Sequence, residues 1–119
     1  MYRYPPYRVF ISQAVTGLSR ERADSELEEM KSNIRRAYFY ENIEFMDFIT
    51  QEYFPDKGTL ERELWFYDRL LDSLEKADLT VIGLGYPYDK ECNTVYRAVT
   101  SYRLNYRIYD EILDMIRRS

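Results

Sequence analysis

Asp89, Glu91 and Cys92 stand within four positions of one another, directly ahead of Asn93-Thr94-Val95-Tyr96-Arg97-Ala98. Two carboxylates and a thiol beside a helix start are groups that can do acid–base or nucleophilic work. The unpaired N–H groups of a helix N-terminus favour an anion and lower a thiol pKa. A carboxylate is the chemically expected group a little further into that helix, where the chain offers Val95, Tyr96 and Arg97 instead. The same residues also have structural uses: Asp89 and Glu91 complement a helix dipole, and Cys92 serves as a small, partly buried side chain.

The rest of the composition narrows the chemistry. Histidine is absent and Cys92 is the single cysteine of the 119 residues. Histidine-based catalysis, an intrachain disulfide and a cysteine-rich zinc site are therefore excluded, and no metal or cofactor is expected. A net charge of −4 and a pI near 4.9 disfavour a nucleic-acid surface, which needs clustered Lys and Arg. The one local basic group, Arg97, Arg103 and Arg107, reads either as a site for a small anion or as a solvated helix face. Thirteen tyrosines and six phenylalanines suit a small core, a subunit interface or a stacking pocket. The length fits one domain, residues 1–119. No apolar run resembles a leader or could span a bilayer, so a cytoplasmic protein without a membrane partner is expected.

Short strands alternate with helices along the chain. Arg8-Val9-Phe10-Ile11-Ser12 reads as a buried first strand, and Ser19 is placed to cap a helix over 20–39 that carries Glu26, Leu27, Met30, Ile34 and Ala37 at helical spacing. Ile43–Ile49 predicts a second strand, and Gln51–Gly58 a loop. The second helix opens at Thr59 or Leu60, with Leu64, Tyr67, Leu70, Leu71 and Leu74 as its apolar stripe and Trp65 and Phe66 to the side. Leu79–Leu84 is the strongest strand, followed by a loop to Glu91, a helix over 93–104, a short strand over 106–109 and a closing helix over 110–117.

Strands separated by helices imply crossovers, hence an α/β fold of flavodoxin- or Rossmann-like, three-layer type with a parallel sheet in the order 2-1-3-4. Ligands bind such sheets beyond the carboxyl ends of the strands where the order reverses, here between Ser12-Gln13 and Gly83-Gly85. The residues gathered there are Ser12, Gln13, Thr16 and Gly17 from the first turn, Gly83 and Gly85, and Asp89, Glu91, Asn93 and Thr94. Neither a G-x-G-x-x-G after the first strand nor a G-x-x-x-x-G-K-[ST] is present, so dinucleotide and P-loop readings are poor.

Val9-Phe10-Ile11-Ser12-Gln13-Ala14-Val15-Thr16-Gly17-Leu18, together with the run from Leu64-Trp65 into Ser73-Leu74-Glu75-Lys76-Ala77-Asp78-Leu79, resembles the nucleoside 2-deoxyribosyltransferase-like superfamily over residues 8–110. The nearest resemblance is to its small phage and mobile-element members. It implies a homo-oligomer with a pocket for a nucleoside or nucleotide. In active members a helix glutamate attacks the anomeric carbon and holds the sugar covalently, a retaining glycosyl transfer. By the same resemblance Asp89 matches an aspartate that contacts the base, and Ser12 and Gln13 line the pocket.

The nucleophile position breaks the resemblance. One register places Arg97 there and the other Val95, and neither can attack a sugar. Three expectations follow. The leading one is nucleoside or nucleotide binding, with Ser12, Gln13, Asp89, Asn93 and Thr94 orienting the ligand and Arg97 holding an anion. The second is N-glycosidic cleavage or base exchange with Glu91 as nucleophile or general base and Asp89 assisting. The third is a structural protein with no small-molecule ligand.

Overall fold

A computed structural model describes residues 5–46 and 60–118, with the backbone alone at 60–63 and 66. Four strands form one parallel sheet: β1 (Tyr7–Ser12), β2 (Ile43–Phe45), β3 (Leu79–Ile82) and β4 (Tyr106–Ile108). Their order is β2-β1-β3-β4, as the crossover argument predicts. Val9 pairs with Leu79 and Ser12 with Ile82 across the two central strands, which sets their carboxyl ends level.

The strand pleat sorts the side chains between two layers of helix. Val9, Ile11, Leu79 and Val81 face one layer, made by α1 (Arg20–Ala37) and α4 (Tyr109–Arg118). Phe10 and Ile82 face the other, made by α2 (Leu60–Lys76) and α3 (Lys90–Ser101). Continuous apolar runs in β1 and β3 are the signature of strands covered on both faces. Among the described residues no helix is long and apolar enough to cross a membrane.

Sequence and structure agree closely in α1. Ser19 is its cap, with Oγ accepting from Arg22 N at 3.1 Å, and Ala23, Leu27, Met30, Ile34 and Ala37 form the buried stripe. Elsewhere the elements shift. The helix expected from Asn93 begins at Lys90, because Asp89 rather than Cys92 or Asn93 satisfies its first N–H groups. Gly85–Lys90, expected as plain loop, holds a single 3₁₀ turn at Tyr86–Tyr88. Of the predicted strand Ile43–Ile49, residues 43–45 are strand; Asp47–Ile49, the loop 51–58 and the side chain of Phe66 lie outside the described residues.

The stripe expected on α2 divides in two. Leu70, Ser73 and Leu74 are buried, whereas Leu64 and Leu71 are about three-fifths exposed. The positions 64, 67 and 71 lie one helix edge away from 70, 74 and 77, and the buried Ser73 completes the packed face. Trp65 also lies at the surface, with the Arg69 guanidinium 5.4 Å from its ring centroid.

Candidate functional site

The carboxyl ends of β1 and β3 approach each other through backbone. Gly83 N donates to Ser12 O at 2.8 Å, and a Cβ at Gly83 would lie 3.2 Å from Ala14 N and 3.3 Å from Ser12 O. Only glycine allows that approach without displacing main chain. Beyond β1 the chain turns through Val15–Leu18, with Leu18 N donating to Val15 O and Gly17 at φ +83°. The turn points the Val15 and Thr16 N–H groups in one direction, towards the start of α3.

Asp89 fills the space they address. Its Oδ2 accepts from Val15 N at 3.0 Å, Thr16 N at 3.1 Å and Thr16 Oγ1 at 2.8 Å, while its Oδ1 accepts from Cys92 N at 3.0 Å. The residue is 2% exposed. Converging backbone N–H groups beside a helix N-terminus make an anion-binding concavity. Here the anion is the protein's own carboxylate, and it ties the first turn to α3.

Cys92 lies behind this clamp. Its Sγ donates to Ser12 O at 3.2 Å and receives the Ser12 hydroxyl at 3.3 Å, with both residues buried. Burial, with Asp89 adding to it against the opposing Ser12 hydrogen bond, pushes the thiol up to about 11. The helix-start effect expected to activate Cys92 is outweighed by desolvation. Cys92 is packing, and Ser12 serves it rather than a ligand.

On the α1 and α4 side of the same strand ends lies a cavity of about 460 Å³, a volume suited to a small organic ligand. Its floor is Gln13, Ala14, Gly83 and Gly85. Leu18, Met30, Leu84, Tyr88 and Tyr109 give it apolar and aromatic walls, and Glu26 and Glu29 bring two carboxylates from consecutive turns of α1. Tyr109 is held in place by Asn33 Nδ2, which donates to its hydroxyl at 2.7 Å. Gln13 is fixed by donating from Nε2 to Ala23 O at 2.7 Å. Tyr88, 90% exposed, stands at the rim. Among the described lining residues none is basic.

No family model, curated protein or solved structure matches the chain.

The cavity gathers Gln13, Thr16, Gly83, Gly85 and Asp89 from the residues expected at the site, and leaves out Ser12, Gly17, Glu91, Asn93, Thr94 and Arg97. The omissions on α3 have one cause. That helix turns Cys92, Val95 and Val99 towards the sheet, so Asn93, Thr94 and Arg97 point elsewhere at its 100° step. Thr94 spends its hydroxyl on Lys90 O at 2.9 Å, and Arg97 is exposed. Glu91 sits in the first turn of α3, where a carboxylate complements the dipole. Val95, the alternative nucleophile position, is 2% exposed within the core.

The basic group also separates. Tyr106 and Ile108 pack with the α2 and α3 layer, so Arg107 between them projects to the opposite face from Arg97. There its pKa is raised chiefly by a hydrogen bond to Tyr38, with Glu111 Oε2, at 3.3 Å, adding to it. Arg103 takes φ 55° just beyond α3. Several tyrosines are structural: Tyr96 packs tilted against Tyr86 at 4.6 Å and edge-on at 6.0 Å to Tyr106, closing the rim of the second core.

The wall residues Glu26, Glu29, Tyr88 and Tyr109 are the ones sequence reasoning missed. Glu26 carried a signal, since a carboxylate inside a stripe that otherwise faces the sheet must border something polar or open. Tyr109 carried less, because it was read as the last residue of β4 rather than the first of α4.

Proposed function

We propose that the protein binds an unphosphorylated nucleoside, or a nucleoside-like ring compound, in the cavity beside β1 and β3. The observation that carries this is the Asp89 carboxylate in the concavity that would otherwise cradle a phosphate. A phosphate brought there meets a buried anion with its N–H partners already engaged, and two glutamates stand on the facing wall. A neutral ring meets no such penalty, and Tyr88, Tyr109 and Met30 offer it flat and polarisable surface.

The resemblance to the deoxyribosyltransferase-like superfamily supports the nucleoside half of the reading, and the strand order supports the fold on which it rests. Sugar transfer through Glu91 is not part of the proposal, because Glu91 lies outside the cavity lining. Nor is an anion clamp at Arg97. A homo-oligomer belongs to the same reading, favoured by the exposed apolar edge of α2 at Leu64 and Leu71. So does a cytoplasmic setting, favoured by the lone buried thiol.

Isothermal titration with the four common deoxynucleosides and their 5′-monophosphates tests the proposal. At least one deoxynucleoside is expected to bind, with its monophosphate at least about tenfold weaker. Equal or tighter binding of the monophosphate would overturn it, and silence from every compound would favour the purely structural role.

A further inference from the structure

The polar groups around the cavity differ in whether their hydrogen-bonding capacity is still available. Thr16 spends its backbone N–H and its hydroxyl on Asp89. Gln13 commits an amide N–H to Ala23 O, and the Asn33 amide is used on Tyr109. The donors left to the cavity are the second amide N–H of Gln13 and the Tyr88 and Tyr109 hydroxyls, none of them on α1. What remains on the α1 wall is Glu26 and Glu29, and a carboxylate accepts hydrogen bonds without offering any. Glu26 has the Arg22 guanidinium at 3.7 Å on its outer side, a pair that is largely solvent-exposed and does not fill the carboxylate's capacity. The α1 wall therefore presents acceptors, and the part of a ligand that faces it must present donors.

We infer that the ligand bears an exocyclic amine, as guanine, cytosine and adenine do, and that Glu26 and Glu29 select it over bases carrying only carbonyl oxygens at the corresponding position. The inference rests on the nucleoside reading above and narrows it to a class of base. The physical basis is asymmetric. An amine directed at a carboxylate gains a charge-assisted hydrogen bond, whereas a carbonyl oxygen in its place sets acceptor against acceptor and desolvates both. Discrimination of this kind comes as much from the penalty on the wrong ligand as from the gain on the right one.

Two pairs of probes vary the amine: deoxyguanosine against deoxyinosine removes it, and deoxycytidine against deoxyuridine replaces it with a carbonyl and makes N3 a donor. In the protein as it stands, loss of the amine is expected to weaken calorimetric affinity at least about fivefold in one pair or both. In the double variant Glu26→Gln, Glu29→Gln that preference should fall below about twofold, because an amide can turn either its oxygen or its NH₂ to the base. Neither residue belongs to the buried stripe of α1, which the substitutions leave intact, as far-ultraviolet circular dichroism checks. Equal affinity within both pairs, with binding retained, overturns this inference and leaves the nucleoside reading standing. A preference that survives the double variant assigns the amine to other groups and overturns it as well. If neither these four nor deoxyadenosine and thymidine bind, both readings fall together, whereas binding of thymidine alone overturns only this inference.

Discussion

The start of α3 and the wall built by α1 and α4 flank the same two strand ends, yet they have opposite characters. At the start of α3 the buried polar side chains are satisfied within the protein: Asp89 takes four hydrogen bonds, and Ser12 and Cys92 satisfy each other. At the other wall two carboxylates, two tyrosines and apolar side chains surround open volume. The contrast shows that a helix N-terminus at a topological switch point is not by itself a ligand site. It becomes one only when its N–H groups are left for the ligand, and here one aspartate has closed that option while leaving the neighbouring wall open.

The comparison breaks most directly at Asp89. Asp89→Ala leaves the Val15, Thr16 and Cys92 N–H groups without their acceptor in a buried setting, so a loss of about 3–5 kcal/mol is expected in urea unfolding. A loss under about 1 kcal/mol would mean that the clamp does not hold the closed side together.

A smaller effect is expected at Cys92. Between pH about 9 and about 11 the unfolded chain releases the thiol proton while the native chain keeps it. The unfolded form then binds fewer protons, so stability falls as pH rises through that window and is unaffected by this group below it. The contribution is of order 2 kcal/mol, and Cys92→Ala should flatten the slope. Tyr7, Tyr86 and Tyr106, each raised chiefly by desolvation, act in the same direction above pH 10 and remain in the variant. Iodoacetamide at pH 8 should label the native thiol at least about a hundredfold more slowly than the urea-unfolded one. Comparable rates would show that the α3 side is open after all.

Much of this arrangement was legible in the chain. Short apolar strands divided by helices admit few sheets, and the preference for right-handed crossovers selected the observed order. Ser19 announced its helix by a local rule, since a hydroxyl capping an N–H three residues on needs no tertiary information. The crevice between Gln13 and Gly83 followed from the same topology. What could not be read was which side of it opens. That depends on Asp89 reaching across 73 residues of sequence to Thr16, and on α4 beginning at Tyr109 so that its ring meets Asn33 of α1. Both are long-range contacts without a local pattern. The split face of α2 was hidden similarly, because Leu70 and Leu71 are adjacent in sequence yet one is buried and the other exposed.

The central claim is that the open wall, and not the helix start, receives the ligand. Backbone amide chemical shifts of the ¹⁵N-labelled protein, followed during titration with whichever deoxynucleoside binds most tightly, test it residue by residue. The account predicts the largest changes at Gln13, Glu26, Glu29 and Tyr109, with Asn93 to Arg97 nearly still. Changes centred on Glu91 to Arg97, with the α1 wall unmoved, would contradict it.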